Sequence, residues 1–145
     1  MSVLVDSGVF YAHADSDAER HVPAVRAFDA LIDGAYGQPY TTDYVYDETV
    51  TLTLRRTGRF ERARTVGRRI RGEGEFPDLV RIEHVTPLAF EAAVDVFERY
   101  DDQQLSFTDA TTIAVAEELD IDAVLSFDDD FDGIVERTDP RDTDC

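Results

Sequence analysis

Two short apolar runs near opposite ends of the chain constrain the fold most: Val3-Leu4-Val5, closed at once by Asp6-Ser7-Gly8, and Ala123-Val124-Leu125, closed by Ser126-Phe127-Asp128. A brief apolar run bounded by turn formers reads as a buried strand. Between the two, helical and strand patterns alternate. Ser16-Asp17-Ala18-Glu19 has the spacing of a capping box, and Val22, Val25, Ala27, Phe28, Leu31 and Ile32 continue it as a helix to about Asp33. Pro39 to Thr42 reads as strand, with Asp43 as the N-cap of the next segment. Phe60, Ala63, Val66 and Ile70 predict a helix from Arg59 to Arg71, ended by Gly72-Glu73-Gly74, and Leu79 to Ile82 predicts another strand. Thr86-Pro87 opens a helix that stops near Tyr100, and a last helix runs from near Thr108 to Leu119-Asp120. Strands alternating with helices of about ten to fifteen residues imply right-handed crossovers and a parallel sheet covered on both faces. The class is α/β.

One segment resists assignment. Val50-Thr51-Leu52-Thr53-Leu54 alternates apolar and polar like a strand, whereas a helix would put Val45, Glu48, Thr49 and Leu52 on one face. The residues alone leave both open.

A length of 145 residues with 43% hydrophobic content fits one domain, read as residues 1–137, followed by a polar C-terminal tail at 138–145. The single cysteine, Cys145, excludes a disulfide framework, and His13, His21 and His84 have no cysteine partners for a zinc site. The N-terminus lacks a basic leader and no long apolar run is present, so the expectation is a cytoplasmic protein with no membrane contact. The formal charge is −18, from 32 acids and 14 arginines, with no lysine. Such a chain repels itself in dilute buffer, but at about 1 M salt the Debye length is roughly 3 Å; a halophilic setting is expected. Positive charge is concentrated locally: Arg55, Arg56, Arg59, Arg62, Arg64, Arg68, Arg69 and Arg71 share their stretch with one acid, Glu61. That is how an electrostatic footprint for a polyanion looks, and equally a helix face paired with the acidic remainder.

In open parallel sheets, ligands bind beyond the C-terminal ends of the strands. Asp6 and Asp128 each come directly after a strand there, Asp109 opens a helix on the same edge, and Glu48 joins them if its segment is helical. Singly, each is an ordinary turn former or cap; together they need a counter-charge that no lysine supplies. A hard divalent cation, Mg²⁺ or Mn²⁺, is the natural solution, and it suits phosphodiester hydrolysis. Asp129, Asp130 and Asp132 read as solvated turn acids, and the histidines have no triad-like company.

Val3-Leu4-Val5-Asp6-Ser7, Glu48, Leu105-Ser106-Phe107-Thr108-Asp109-Ala110 and Leu125-Ser126-Phe127-Asp128-Asp129-Asp130-Phe131 together resemble PIN domains, especially the VapC toxin ribonucleases, over about Met1 to Glu136. The resemblance implies a three-layer fold with a central, mostly parallel sheet flanked by helices, and helix around Glu48. It implies a metal-dependent endoribonuclease, the toxin of a type II toxin–antitoxin pair, with Asp6, Glu48, Asp109 and Asp128 as catalytic acids. Asp6, Asp109 and Asp128 would ligate Mg²⁺ or Mn²⁺, and Asp130 could stand in for Asp128. Ser7 and Ser106 would fix the carboxylate rotamers. It further implies an RNA substrate, a cognate antitoxin and a homodimer. Arg55, Arg56, Arg59, Arg62, Arg68 and Arg69 are the candidates for RNA or partner contact. The competing reading is a non-catalytic PIN-like module that docks a protein through Arg55 to Arg71. A phospho-acceptor domain of flavodoxin-like form fits less well, because Asp6-Ser7-Gly8-Val9 lacks a second acid two residues on and no late lysine exists.

Overall fold

The apolar run after Met1 becomes β1 (Ser2–Val5), the middle strand of a five-stranded sheet whose order is β3-β2-β1-β4-β5. Its neighbours are β2 (Gln38–Thr42) and β4 (Ala123–Leu125), and the outer strands are β3 (Arg81–Glu83) and β5 (Arg137–Thr138). Every pairing is parallel, with Leu4 opposite Tyr40 on one side and Val124 on the other. The computed structural model describes residues 1–142.

Side chains alternate across the sheet, as the period of two requires. Val3 and Val5 pack against α1 (Ser7–Ala14), α2 (His21–Ile32), α3 (Asp43–Thr57) and α4 (Phe60–Arg71), through Val9, Phe10, Phe28, Leu31, Val45 and Ile70. Leu4 and Val124 face the opposite layer, formed by α5 (Pro87–Arg99) and α6 (Phe107–Glu118). The expected three-layer α/β architecture is present. The sheet order reverses between β1 and β4, because the β3–β4 connection carries the chain from one edge across to the far side of β1. A crevice at such a reversal is where open α/β sheets hold ligands.

The ambiguous segment is helix. Thr42 caps α3 by accepting the Val45 amide at 3.0 Å, and Gly58 ends it in the left-handed conformation at φ 66°. Inside, Thr49, Thr53 and Thr57 donate their hydroxyls to the carbonyls four residues back, at 2.7, 2.8 and 2.7 Å. Three threonines that look β-prone in sequence thus satisfy their hydroxyls within the helix that carries Glu48.

Elsewhere the sequence reading needs correction. Asp6-Ser7-Gly8 is not a free turn but the start of α1, which shows no amphipathic pattern because Ser7, Val9, Phe10, Tyr11 and Ala12 are all buried. Ser16 does not form a capping box with Glu19. Helix α2 starts later, at His21, after a turn in which Asp15 accepts the Asp17 amide at 3.0 Å. Thr42, not Asp43, caps α3, and the third strand lies at Arg81–Glu83, two residues beyond its expected start. Thr138, read as the first tail residue, pairs in β5, and Pro140 is buried. The last three residues of the expected tail, Cys145 among them, lie outside the described residues. Among the described residues, no helix is long and apolar enough to cross a membrane.

Phe131 is fully buried in the cluster of α5, α6 and Val124, and it pins the 3₁₀ turn (Asp129–Phe131) that comes after Asp128. Phe131→Ala is expected to cost about 3–5 kcal/mol in denaturant unfolding at high KCl; a cost below about 1 kcal/mol would show that the turn does not depend on it.

Candidate active site

The crevice between β1 and β4 opens into a cavity of about 570 Å³, lined by Asp6, Ser7, Gly8, Glu48, Ser106, Asp109, Ser126, Asp128 and Asp129, together with Arg20, Gln104, Phe127 and Arg141. Each acid arrives there for a local reason. Asp6 ends β1; its amide extends the ladder to the Leu125 carbonyl at 3.0 Å, which carries the β1–β4 contact one residue further. It occupies the N-cap position of α1, yet its carboxylate makes no capping bond. Instead Oδ2 accepts the Ser126 hydroxyl at 2.7 Å, and Oδ1 is buried with no hydrogen-bond partner among the described residues. An N-cap aspartate ordinarily satisfies helix amides; this one is turned into the cavity.

Asp109 and Ser106 form a reciprocal capping box at the start of α6: the Asp109 amide donates to Ser106 Oγ at 3.0 Å, and the Ser106 amide donates to Asp109 Oδ2 at 3.1 Å. Ser7 donates its hydroxyl to Glu48 Oε1 at 2.5 Å, tying α1 to α3. After β4, Ser126 Oγ accepts the Asp128 amide at 2.9 Å while donating to Asp6, so one hydroxyl ties together the two strand-end acids. The sequence reading includes Ser126 in its motif but assigns it no role at the site. Its place in Leu125-Ser126-Phe127-Asp128, directly after a buried strand, is the available signal.

The electrostatics follow from burial. Burial pushes Asp6 up to about 6 against the opposing Ser126 hydrogen bond, with Glu48 and Asp128 adding to the rise. Burial likewise pushes Asp109 up to about 7, followed by the charge of Asp6 and, less strongly, those of Asp128 and Glu48. The four predicted acids therefore share one cavity and one field. Asp130 does not line it; its amide donates to Asp128 Oδ1 at 2.9 Å. Among the described residues, the three carboxylates whose oxygens come within 4.8 Å of one another are Asp128, Asp129 and Asp130, so no three of Asp6, Glu48, Asp109 and Asp128 are that close. The donor set is all oxygen and includes a buried carboxylate oxygen without a partner, which fits a hard divalent cation rather than a thiolate- or imidazole-loving metal.

The arginine stretch stands apart from these acids, since none of its members lines the cavity. Arg64 pairs with Glu61 at 3.8 Å and Arg71 with Glu73 at 2.5 Å. Among the described residues, Arg55, Arg56, Arg59, Arg62, Arg68 and Arg69 have no carboxylate within 4.0 Å. Pairing with the acidic remainder therefore does not account for them. Arg56 lies over the Tyr11 ring at 4.8 Å, and Arg69 donates to His13 Nδ1 at 3.1 Å, where the imidazole stacks on Phe28.

Raised carboxyl pKa values have a sign that can be measured. Without metal, folded Asp6 and Asp109 hold protons more tightly than the unfolded chain, so their contribution to stability is full below about 3.8 and is lost as pH rises through about 6 and 7. His13, which burial pushes down to about 4, acts in the opposite sense between there and 6.5. Asp109→Asn keeps the acceptor for the Ser106 amide and removes the charge. In chelator, its Tm should exceed that of wild type by a margin that widens from about pH 5 to about pH 8. An equal margin at both ends would show that Asp109 ionises without penalty.

The chain is similar to known proteins in sequence and fold. The family model for the PIN domain matches residues 3–136. The 23S rRNA-specific endonuclease VapC20 of Mycobacterium tuberculosis is 34% identical over 131 residues, covering 89% of this chain and 91% of that protein. A VapC ribonuclease of Archaeoglobus fulgidus is 26% identical over 132 residues, covering 90% of this chain and 80% of that protein. The crystal structure of VapC20, described as a sarcin-ricin loop cleaving toxin, superposes with a TM-score of 0.77 at 31% identity, covering 92% of this chain and 97% of that one. FitAcB from Neisseria gonorrhoeae shares the fold at TM-score 0.68 and 17% identity, covering 97% of this chain and 99% of that one. With a buried acid-lined crevice at the β1–β4 reversal and a match over nearly its whole length, the chain belongs to the PIN-domain family.

Proposed function

We propose that this protein is a metal-dependent endoribonuclease, the toxin of a type II toxin–antitoxin pair, with Asp6, Glu48, Asp109 and Asp128 as its working acids. The observation that carries the reading is the pair of buried carboxylates, Asp6 and Asp109, facing one cavity with an Asp6 oxygen left unpartnered. Asp6, Asp109 and Asp128 would hold Mg²⁺ or Mn²⁺, which when bound lowers the pKa of a bound water and offsets charge on a phosphodiester. The chain's own residues set the geometry. Ser126 orients Asp6, the Ser106 backbone holds Asp109, and Ser7 fixes Glu48 so that its free oxygen can accept a hydrogen bond from the attacking water. Asp128, rather than Asp130, is the fourth acid, because it lines the cavity.

RNA is the substrate class. The sarcin-ricin loop of 23S rRNA, named for the Mycobacterium tuberculosis relative, is the first sequence to test. A cognate antitoxin is the partner, in keeping with the toxin–antitoxin complex from Klebsiella pneumoniae, whose fold matches at TM-score 0.65 and 17% identity over 95% of this chain and 97% of that one. A homodimer is supported by the apolar surface of α5, where Phe90 and Phe97 remain 43% and 44% exposed beside Phe107. A high-salt cytoplasm is the working environment that the charge of −18 favours.

End-labelled RNA incubated at high KCl with Mn²⁺ should be cut by wild type, spared in chelator and spared by Asp109→Asn. Ser126→Ala, which frees Asp6 to rotate, should lose about 10- to 100-fold in activity or metal affinity. Cutting retained by Asp109→Asn, or unaffected by chelator, would remove the carboxylate site from the mechanism.

A further inference from the structure

An acidic cavity is a poor entrance for a polyanion. Five carboxylates line this one, and the two cations on its wall are Arg20 and Arg141. They are not equivalent. Arg141 is neutralised by Asp139, which accepts its Nε at 2.9 Å and its Nη2 at 2.6 Å. Arg20 is exposed, and among the described residues it has no carboxylate within 4.0 Å, in a chain with 32 acids. It is held instead by the Phe127 ring, with its guanidinium carbon 5.0 Å from the ring centroid. Arg141 lies over the same ring at 5.8 Å, so the difference between the two is the ion pair; a cation held over a ring face keeps its N–H donors unused.

Arg20 also joins two concavities. Together with Gly8, it lines both the acid cavity and a neighbouring groove of about 520 Å³ whose far wall carries Arg56. Asp15, Asp17 and Glu19 border that groove as well, and Asp15 is already engaged by the Tyr11 hydroxyl at 2.8 Å and the Asp17 amide at 3.0 Å. Arg56, like Arg20, has no ion-pair partner among the described residues and rests on an aromatic ring, that of Tyr11.

We propose that Arg20 is a substrate-positioning residue that receives an RNA phosphate at the mouth of the acid cavity and directs the strand along the groove toward Arg56. The proposal rests on the ribonuclease reading above. A guanidinium whose N–H donors are not taken up by a carboxylate suits bidentate capture of phosphate oxygens. Gly8 lines both concavities without a side chain, and a Cβ there would meet nothing within 4 Å.

The test is binding of a fluorescein-labelled single-stranded RNA, followed by anisotropy over a range of KCl in an Asp109→Asn background. Arg20→Gln should weaken binding about tenfold at the lowest salt and lower the slope of log affinity against log salt by about 0.7, the loss of one phosphate contact on a single strand. Arg20→Lys should restore the slope, because the charge returns, and only part of the affinity, because the fork does not. Arg56→Gln should lower the slope by a similar step, giving a second, independent reading along the groove. A purely structural role for Arg20 would change the melting temperature and leave the slope alone. The same preparation of wild type is assayed for RNA cleavage. Cleavage present with slope and affinity unchanged by Arg20→Gln overturns the positioning role alone; absence of cleavage overturns the function on which it rests, and the role with it.

Discussion

Two carboxylates, Asp6 and Asp109, are held below the surface at the one place where the strand order reverses, and the rest of the molecule is arranged around that constraint. Among the described residues neither has a cationic partner, and the pKa of each rises because burial and its acidic neighbours disfavour the charge. Such a cluster opposes folding in the absence of a bound cation. The surrounding structure supplies the compensation: β1 is buried on both faces, Phe131 anchors the turn after Asp128, and serine hydroxyls and amides hold each acid in position.

The site is assembled from segments far apart in sequence, and short hydrogen bonds connect them. Ser126 bridges two strand ends 120 residues apart, and Ser7 reaches across 41 residues to Glu48. Helix α3 can deliver Glu48 only because its threonines satisfy themselves along the helix and Thr42 and Gly58 close its two ends. On the proposed reading a divalent cation would exchange with protons on the same carboxylates, which would link affinity and pH through Asp6 and Asp109.

Much of this is legible in the residues, for identifiable reasons. Val3-Leu4-Val5 and Ala123-Val124-Leu125 announce buried parallel strands because no polar residue interrupts them, and the acids directly after them must then fall on the ligand-binding edge. Pro87 after Thr86 marks the start of α5 with no tertiary information at all. Helix α1 is not legible, because a helix buried nearly all round has no periodic apolar stripe. The Ser16-x-x-Glu19 signal misleads because a capping box is a local option that the chain leaves unused when the preceding helix runs to Ala14 and Asp15 organises the turn instead. Around Glu48, strand propensity and helix periodicity are balanced, and the deciding feature, threonines four apart bonding backward, is visible only once the helix exists. Ser126 and Arg20 escape notice for a different reason: their importance lies in what they face across the cavity, which spacing along the chain does not encode.

The central claim is that the buried carboxylates exist to hold a divalent cation, and proton release tests it most directly. Mn²⁺ titrated calorimetrically into the chelator-treated protein at high KCl, in pairs of buffers with different ionisation enthalpies, reports the protons displaced on binding. The account predicts release near pH 6, where Asp109 with its pKa of about 7 is still largely protonated, and release fading as the pH passes well above that value. Saturable binding with no proton release at any pH, or no binding at all, would contradict it.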